Sequence, residues 1–371
     1  MLPAALALED GTLIHGSGFG AATDKVFELV FNTSMTGYQE ILTDPSYKGQ
    51  GILFTCPHIG NVGINPDDYE SVIPQVSASI VRSISPVVSN WRAAQNLPDW
   101  LEDHGVPGIS GVDTRWLTRK LRDGGTQKAA LSTCGTPPEQ LLEMARSWTG
   151  LDGIDMVQAV TCSEPYAWTG DSGEKWVNRM PARPKPLHIV AYDFGTKRNI
   201  LRHLASFGAH ITVVPASTTA QQALSLHPDG IFLSNGPGDP AGLPYAVETT
   251  SDLIESGIPV LGICLGHQLI GLALGGRTAR LKFGHHGGNH PVQDLRTHEV
   301  LITAQNHNYH VMIDSLDPGL VEMTHLSLND GSLEGLRLRS KPVLSVQFHP
   351  EAAPGPHDSH NLFKEFFRLM A

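Results

Sequence analysis

The chain has 371 residues, 40% apolar and 17% charged, which is too long for one ordinary core and too apolar for a disordered chain, so two globular domains are expected. A formal net charge of −11, from 37 acidic against 26 basic residues, argues against a nucleic-acid partner, which needs clustered Lys and Arg. There is no apolar run of about 18 residues, and MLPAALALEDG at the N-terminus lacks the basic start of a signal peptide, so no membrane contact is expected and the location read from the sequence is cytoplasmic.

In chain order, Asp10-Gly11 marks a turn, and Val26 to Phe31 and Gly51 to Cys56 are β-prone apolar runs. DTRWLTRKLRDGG, residues 113–125, reads as a helix. A second helix is expected to start near Thr136, where Thr136-Pro137-Pro138-Glu139 supplies an N-cap, an N1 proline and a capping-box glutamate before Leu141, Leu142 and Met144, and to end at Gly150. This first part, residues 1–162, is an α+β pattern. Residues 163–186 lose hydrophobic periodicity and carry Pro165, Pro181, Pro184 and Pro186, as an extended linker would.

From residue 187 to 371 the grammar is strand, helix, strand: LHIVAYDF, GTKRNILRHLASFGA, HITVVPA, the helical TTAQQALSLHP and the strand IFLSNG, closing with PVLSVQFH and the helical NLFKEFFRLM. Such alternation implies right-handed βαβ crossovers, a mainly parallel central sheet flanked by helices on both faces, and reactive loops at the strand C-termini.

The sharpest chemical feature is Pro259-Val260-Leu261-Gly262-Ile263-Cys264-Leu265-Gly266-His267-Gln268, an apolar strand that breaks at Gly-x-Cys-x-Gly and enters an apolar helix. Glycine on both sides permits a sharp strand-to-helix turn that exposes the nucleophile, and the helix dipole there favours a thiolate. A thiol nucleophile needs a base and a group to orient that base. His349-Pro350-Glu351 follows an apolar strand, and in extended chain residues two apart share a side, so Glu351 is placed to hold the imidazole of His349. Ser234-Asn235-Gly236-Pro237-Gly238-Asp239-Pro240 ends another strand in a glycine-rich turn; the amides of Gly238 and Leu265 are the expected oxyanion donors. The catalytic candidates are therefore Cys264, His349 and Glu351.

Other signals carry less. Cys56, Cys134 and Cys162 are scattered, with no C-x-x-C pair, and read as ordinary thiols. His285, His286 and His290 lack companion ligands at a familiar spacing, so no metal is expected. The Gly16, Gly18 and Gly20 run lacks a strand-to-helix context for a dinucleotide. Arg115, Arg119, Lys120 and Arg122 form a basic stretch that is either a solvated helix end or a contact for a partner chain.

SNGPGDP, GICLGHQ, KFGHHGGNHPV, ITAQNH and QFHPE, in this order, resemble a class I glutamine amidotransferase domain, specifically that of the carbamoyl-phosphate synthetase small-subunit family. TGYQEILTDPSY, PHIGNVGIN, SNWR and GVDTRWLTRKLRDGG resemble the leading domain unique to that small subunit, so the likeness covers nearly the whole chain. The resemblance implies hydrolysis of L-glutamine through a Cys264 γ-glutamyl thioester, with glutamine contacts at Ser46, Gly236, Gly238, Leu265, Gln268, Asn306, Asn308 and Tyr309. Ser46 would reach the site from the first domain. Where the family commonly has Asn-His-Gly-Phe, this chain has Asn306-His307-Asn308-Tyr309, and the loop geometry is expected to survive because Asn tolerates left-handed backbone and Tyr keeps the ring.

No G-x-x-x-x-G-K-[ST] loop is present. No cofactor is therefore expected in this chain, and the resemblance places ATP and Mg in a large-subunit partner that makes carbamoyl phosphate from bicarbonate for arginine and pyrimidine synthesis. Assembly of that heterodimer into a higher oligomer is compatible with the sequence. The alternatives are a stand-alone γ-glutamyl thiol hydrolase and a catalytically silent scaffold subunit.

Overall fold

A computed structural model describes residues 2–170 and 186–370. The chain divides into two compact units: Met1–Asp152 with Lys282–Gly287 and Ala353–Gly355, and Gly153–Leu281 with Gly288–Ala352 and Pro356–Ala371.

The first unit is built on a closed barrel of seven strands in the order Leu2–Leu8, Leu13–Gly20, Pro107–Ser110, Ala78–Ile80, Gln50–Phe54, Asp24–Asn32 and Gln127–Ser132. The Asp10-Gly11 turn forms the opening hairpin: Gly11 has φ 97° and its amide donates to the Leu8 carbonyl at 2.9 Å. Side chains alternate between two cores, as the period of a strand requires. Leu29, Phe31 and Leu53 enter one cluster with Leu6, Leu117 and Leu121, while Val30, Ile52 and Phe54 enter another with Tyr47, Trp100 and Leu101. Two of the spaced glycines are explained by close backbone approach, since a Cβ on Gly16 would lie 2.3 Å from the Ser110 carbonyl oxygen and one on Gly20 2.4 Å from the Val106 carbonyl oxygen.

The helix expected from Thr136 spans Pro138–Ser147 and has no side-chain cap. Thr136 instead donates its hydroxyl to the Asp24 carboxylate at 2.6 Å, a charge-assisted bond that outcompetes capping. The helix also ends ahead of Gly150, at a Trp148 cap with extended backbone.

In the second unit a ten-stranded sheet runs Tyr166–Ala167, His210–Pro215, His188–Asp193, Gly230–Leu233, Val260–Ile263, Val343–Val346, Leu333–Leu338, Val321–Ser327, Thr278–Asp294 and Val300–Val311. Its centre is parallel from His210–Pro215 through Val343–Val346. The sheet is nevertheless only partly parallel, which corrects the expectation of a mainly parallel one. After the helix Leu265–Ala273 no further helix intervenes before Val343 except a single 3-10 turn. The strands in between are joined by short connections and pair antiparallel, because a parallel crossover needs a long connection.

Successive residues of the parallel strands feed opposite faces. Val190, Tyr192, Ile231, Leu233 and Val260 join Leu253, Leu265 and Leu269 on one side. Ile189, Ala191, Phe232 and Leu261 join Leu201, Leu204, Phe363 and Phe366 on the other.

The first unit ends at Asp152, ahead of the boundary expected near residue 162. Residues after it already pack on the second sheet: Val157 is wholly buried in its core, and Thr161 Oγ1 accepts from the Ala216 amide at 2.9 Å. Within the expected linker, Tyr166–Ala167 forms an edge strand antiparallel to His210–Pro215; residues 171–185 of it lie outside the described residues.

Candidate active site

The parallel strands deliver three loops to one end of the second sheet, as the topology requires. Val260–Ile263 ends at Cys264, which caps the helix Leu265–Ala273 with φ 54° and ψ −103°. A non-glycine residue held at positive φ is strained, and the elbow is over-determined by its neighbours. The Cys264 amide donates to the Val346 carbonyl at 2.9 Å, and the Gly266 amide to the Ser234 carbonyl at 3.0 Å. A Cβ on Gly262 would lie 2.7 Å from the Gly266 carbonyl oxygen, and one on Gly266 would lie 2.2 Å from the Leu233 carbonyl oxygen. Both glycines are thus dictated by backbone approach. Gly266→Ala is expected to lower stability by about 1–3 kcal/mol through forced displacement of the helix; a urea midpoint equal to that of the parent protein would refute the close approach.

Cys264 is 2% exposed, and its thiol donates to the Asn306 carbonyl oxygen at 3.5 Å. His349 and Glu351 are equally buried, and His349 Nδ1 lies 2.7 Å from Glu351 Oε1. That contact fixes the tautomer with the proton on Nδ1 and leaves the buried Nε2 for proton exchange. His349 Nε2 has no hydrogen-bond partner among the described residues, yet Cys264 contributes to the charge on the ring. The two are near neighbours short of hydrogen-bond geometry.

Burial alone would push the His349 pKa down; Glu351 and Cys264 outweigh it and hold it above its usual value. For Glu351 burial pushes upward, and Lys197 and His349 together hold it below the usual carboxylate range.

Lys197 was not singled out from sequence. Its ammonium, 3% exposed, lies 2.9 Å from Glu351 Oε1 and donates to the Ala352 carbonyl at 2.6 Å. Asn199 Nδ2 donates to the Glu351 carbonyl at 2.6 Å. The backbone after Glu351 is left-handed at Ala352, with φ 56°, so these two side chains pin a strained turn. A signal existed: Lys197 caps the N-terminus of the helix Arg198–Ser206, where the dipole disfavours a cation.

Ser234 and Asn235 are wholly buried. Ser234 Oγ accepts from the Phe194 amide at 2.9 Å, and Asn235 Oδ1 accepts from the Lys197 amide at 3.2 Å. Gly238 follows with φ 90°, and a Cβ on Gly236 would lie 2.3 Å from the Phe194 carbonyl oxygen. Leu265, the first residue of its helix, has no intrahelical acceptor for its amide.

Gln268 is buried and donates from Nε2 to the Tyr309 carbonyl at 2.8 Å and to Gln347 Oε1 at 3.1 Å, which leaves its own Oε1 for a ligand. Asn306, Asn308 and Tyr309 lie in the strand Val300–Val311, not in a loop. Asn308 is not among the positive-φ residues described, so the left-handed tolerance of Asn is not what accommodates it. Ser46 belongs to the first unit, where it is buried in a 3-10 turn and its amide donates to Asp44 Oδ1 at 2.9 Å.

The described residues thus juxtapose a strained thiol, an imidazole held by a carboxylate, and glycine-rich backbone at a helix start. This is the equipment of acyl transfer through a thioester.

The model for "Glutamine amidotransferase class-I" matches residues 190–369, and that for "Carbamoyl-phosphate synthase small chain, CPSase domain" matches residues 6–131. The carbamoyl phosphate synthase small chain, chloroplastic, of Oryza sativa subsp. japonica is 52% identical over 368 residues, covering 99% of this chain and 82% of that one. The carbamoyl phosphate synthase small chain of Thioalkalivibrio sulfidiphilus is 50% identical over 369 residues, covering 99% and 97%. Its counterpart in Salmonella typhimurium is 49% identical over 371 residues, again covering 99% and 97%.

Proposed function

The chain belongs to the carbamoyl phosphate synthase small-chain family, and from that premise we propose that it is the subunit that hydrolyses L-glutamine and passes ammonia to a large subunit. The observation that carries this reading is Cys264, held at φ 54° on a glycine-flanked elbow, in the same buried site as the His349–Glu351 pair.

In the proposed reaction Cys264, as thiolate, attacks the carboxamide carbon of glutamine. The negative charge moves to the former carbonyl oxygen, which the amides of Gly238 and Leu265 receive. His349, as imidazolium, protonates the leaving nitrogen, the C–N bond breaks, and ammonia departs from a γ-glutamyl thioester. Neutral His349 then takes a proton from water as it attacks the thioester, and collapse releases glutamate and the thiol. Glu351 holds the ring throughout, and Lys197 holds Glu351. Gly236, Gln268, Asn306, Asn308 and Tyr309 are assigned to the glutamine.

Ammonia is consumed in the large subunit, where ATP and Mg activate bicarbonate and then carbamate; the product serves arginine and pyrimidine synthesis. Among the described residues no helix is long and apolar enough to cross a membrane, and the proposed location is cytoplasmic.

The test measures glutamate release by this chain alone and with a matching large subunit, bicarbonate and MgATP, while carbamoyl phosphate is assayed. Release stimulated by the partner and matched by synthesis is expected. An equal rate with and without the partner, and no synthesis, would identify a stand-alone hydrolase instead.

A further inference from the structure

The helix Thr114–Gly124 reverses the charge balance of the chain. Overall, 37 acidic residues outnumber 26 basic ones, but this helix carries Arg115, Arg119, Lys120 and Arg122 against Asp123 alone. Its inner face is accounted for by buried Thr114 and by Leu117 and Leu121, which enter the barrel core. The outer face is not. Arg115 and Arg119 are exposed one turn apart, and Trp116 on the same helix is 47% exposed, with Lys120 Nζ 5.9 Å from its ring centroid.

These side chains with Asp113 and Asp123 line a cleft of about 470 Å³ that is open to solvent. Two of its charges are already neutralised: Lys120 Nζ lies 2.7 Å from Asp10 Oδ2, and Asp123 Oδ1 accepts from Arg122 Nε at 2.8 Å. No ion pair of Arg115 or Arg119 occurs among the described residues. The face therefore offers two guanidinium groups without a direct ion pair, Arg119 being within electrostatic reach of Asp123, beside a half-exposed indole. Exposed Trp and Arg together are the residue types most enriched among interface anchors, and guanidinium forks select carboxylates in a bidentate geometry.

We infer that the Arg115–Trp116–Arg119 face is a docking surface for an acidic segment of the large subunit, two carboxylates meeting the guanidinium groups and an apolar side chain covering the indole. This rests on the proposed function, which supplies the partner. Charge complementarity selects the occupant: two copies of this chain, each at −11, repel one another overall. The cleft lies along one helix and is unenclosed, as a shelf for a chain segment is and a small-molecule pocket is not.

The test uses the full chain and the full large subunit. Arg115→Glu/Arg119→Glu is compared with the parent by titration calorimetry across salt concentrations, with Arg115→Gln/Arg119→Gln and Trp116→Ala as milder variants and thermal unfolding as the check on folding. Charge reversal is expected to weaken binding about ten-fold or more at low salt, with the deficit shrinking as salt is raised. Glutamate release by the isolated chain should not change. Trp116→p-benzoylphenylalanine should photocross-link to a stretch of the large subunit rich in Asp and Glu.

If the parent binds and all three variants bind within two-fold of it, the docking inference is wrong and the proposed function stands. If the parent does not bind the large subunit at all, both fall. Self-association that the charge reversal abolishes in sedimentation, with large-subunit binding intact, would assign the face to a second copy and overturn the inference.

Discussion

Cys264→Ala should lose glutamine hydrolysis by about 10⁴-fold or more, the scale of removing a covalent nucleophile, while the complex continues to make carbamoyl phosphate from added ammonia. The substitution removes one sulfur from a 2%-exposed position whose backbone is fixed by the Val346 carbonyl and by the helix it caps, so the elbow should persist. Alanine at φ 54° bears the strain that cysteine bears, and the unfolding midpoint is expected to change little. Retained ammonia-dependent synthesis separates loss of chemistry from loss of assembly. Residual hydrolysis within ten-fold of the parent would show that another group attacks the amide.

The second large effect is expected from Lys197→Met, which keeps most of the length of the side chain and deletes its charge. Glu351 Oε1 then loses one of its two cationic neighbours, and the Ala352 carbonyl loses its 2.6 Å donor. Breaking a buried pair by removing one partner costs about 3–5 kcal/mol, visible as a fall in the unfolding midpoint. Among the described residues the imidazole is hydrogen-bonded to Glu351 alone, so kcat for hydrolysis should fall about 100-fold from misplacement of the base, more than KM rises.

The acid side carries a sign. Burial raises the Glu351 pKa, but Lys197 and His349 hold it below its ordinary 4.5; the stability this confers is present above 4.5 and lost as pH falls through the folded value. Without Lys197 that folded value moves up toward 4.5, so acid unfolding should begin at higher pH. His349, raised above its ordinary 6.5, acts oppositely: its contribution is present below 6.5 and lost as pH rises through the raised value. An acid midpoint that does not move in Lys197→Met would show that the ammonium does not set the charge of Glu351.

The nucleophile elbow was legible because its constraint is local. Two glycines are needed within two residues of Cys264 for backbone reasons, and an apolar strand and helix must flank it. His349 and Glu351 could be picked out as an acid two residues from a histidine, but strand geometry is not what pairs them: the strand ends at Val346, and the Ala352 amide donates to the His349 carbonyl at 3.2 Å, so the two meet across a turn. The parallel strands could be read because four-residue and six-residue apolar runs alternate with amphipathic helices.

Lys197 was hidden because its partner lies 154 residues away in sequence and no local pattern couples them. The barrel was hidden for a related reason. Ala78–Ile80 and Pro107–Ser110 are too short to show a period, and they are recruited as parallel neighbours by long-range pairing. The antiparallel half of the second sheet escaped because residues 278–294 mix histidine, glycine and charge along a strand whose faces do not alternate cleanly. Asn306 to Tyr309 do not look like strand in the sequence because Asn306, His307 and Asn308 are three polar residues in succession.

The interleaved ownership of the chain affects its biogenesis. The barrel unit takes six residues from Lys282–Gly287 and three from Ala353–Gly355. The Thr33 amide donates to the His286 carbonyl at 3.1 Å, the Thr126 amide donates to the Lys282 carbonyl at 3.2 Å, and Phe283 stacks on Phe31 at 5.8 Å. A ribosome translating toward the C-terminus finishes Met1–Asp152 long before it supplies these pieces, so the first-made unit waits, incompletely furnished, until residues 282–287 and 353–355 follow. Vectorial folding one domain at a time would leave the barrel unit without these later segments. Both units are completed late: the barrel unit by Ala353–Gly355, and the second unit by Pro356–Ala371, which brings Phe363 and Phe366 to its core.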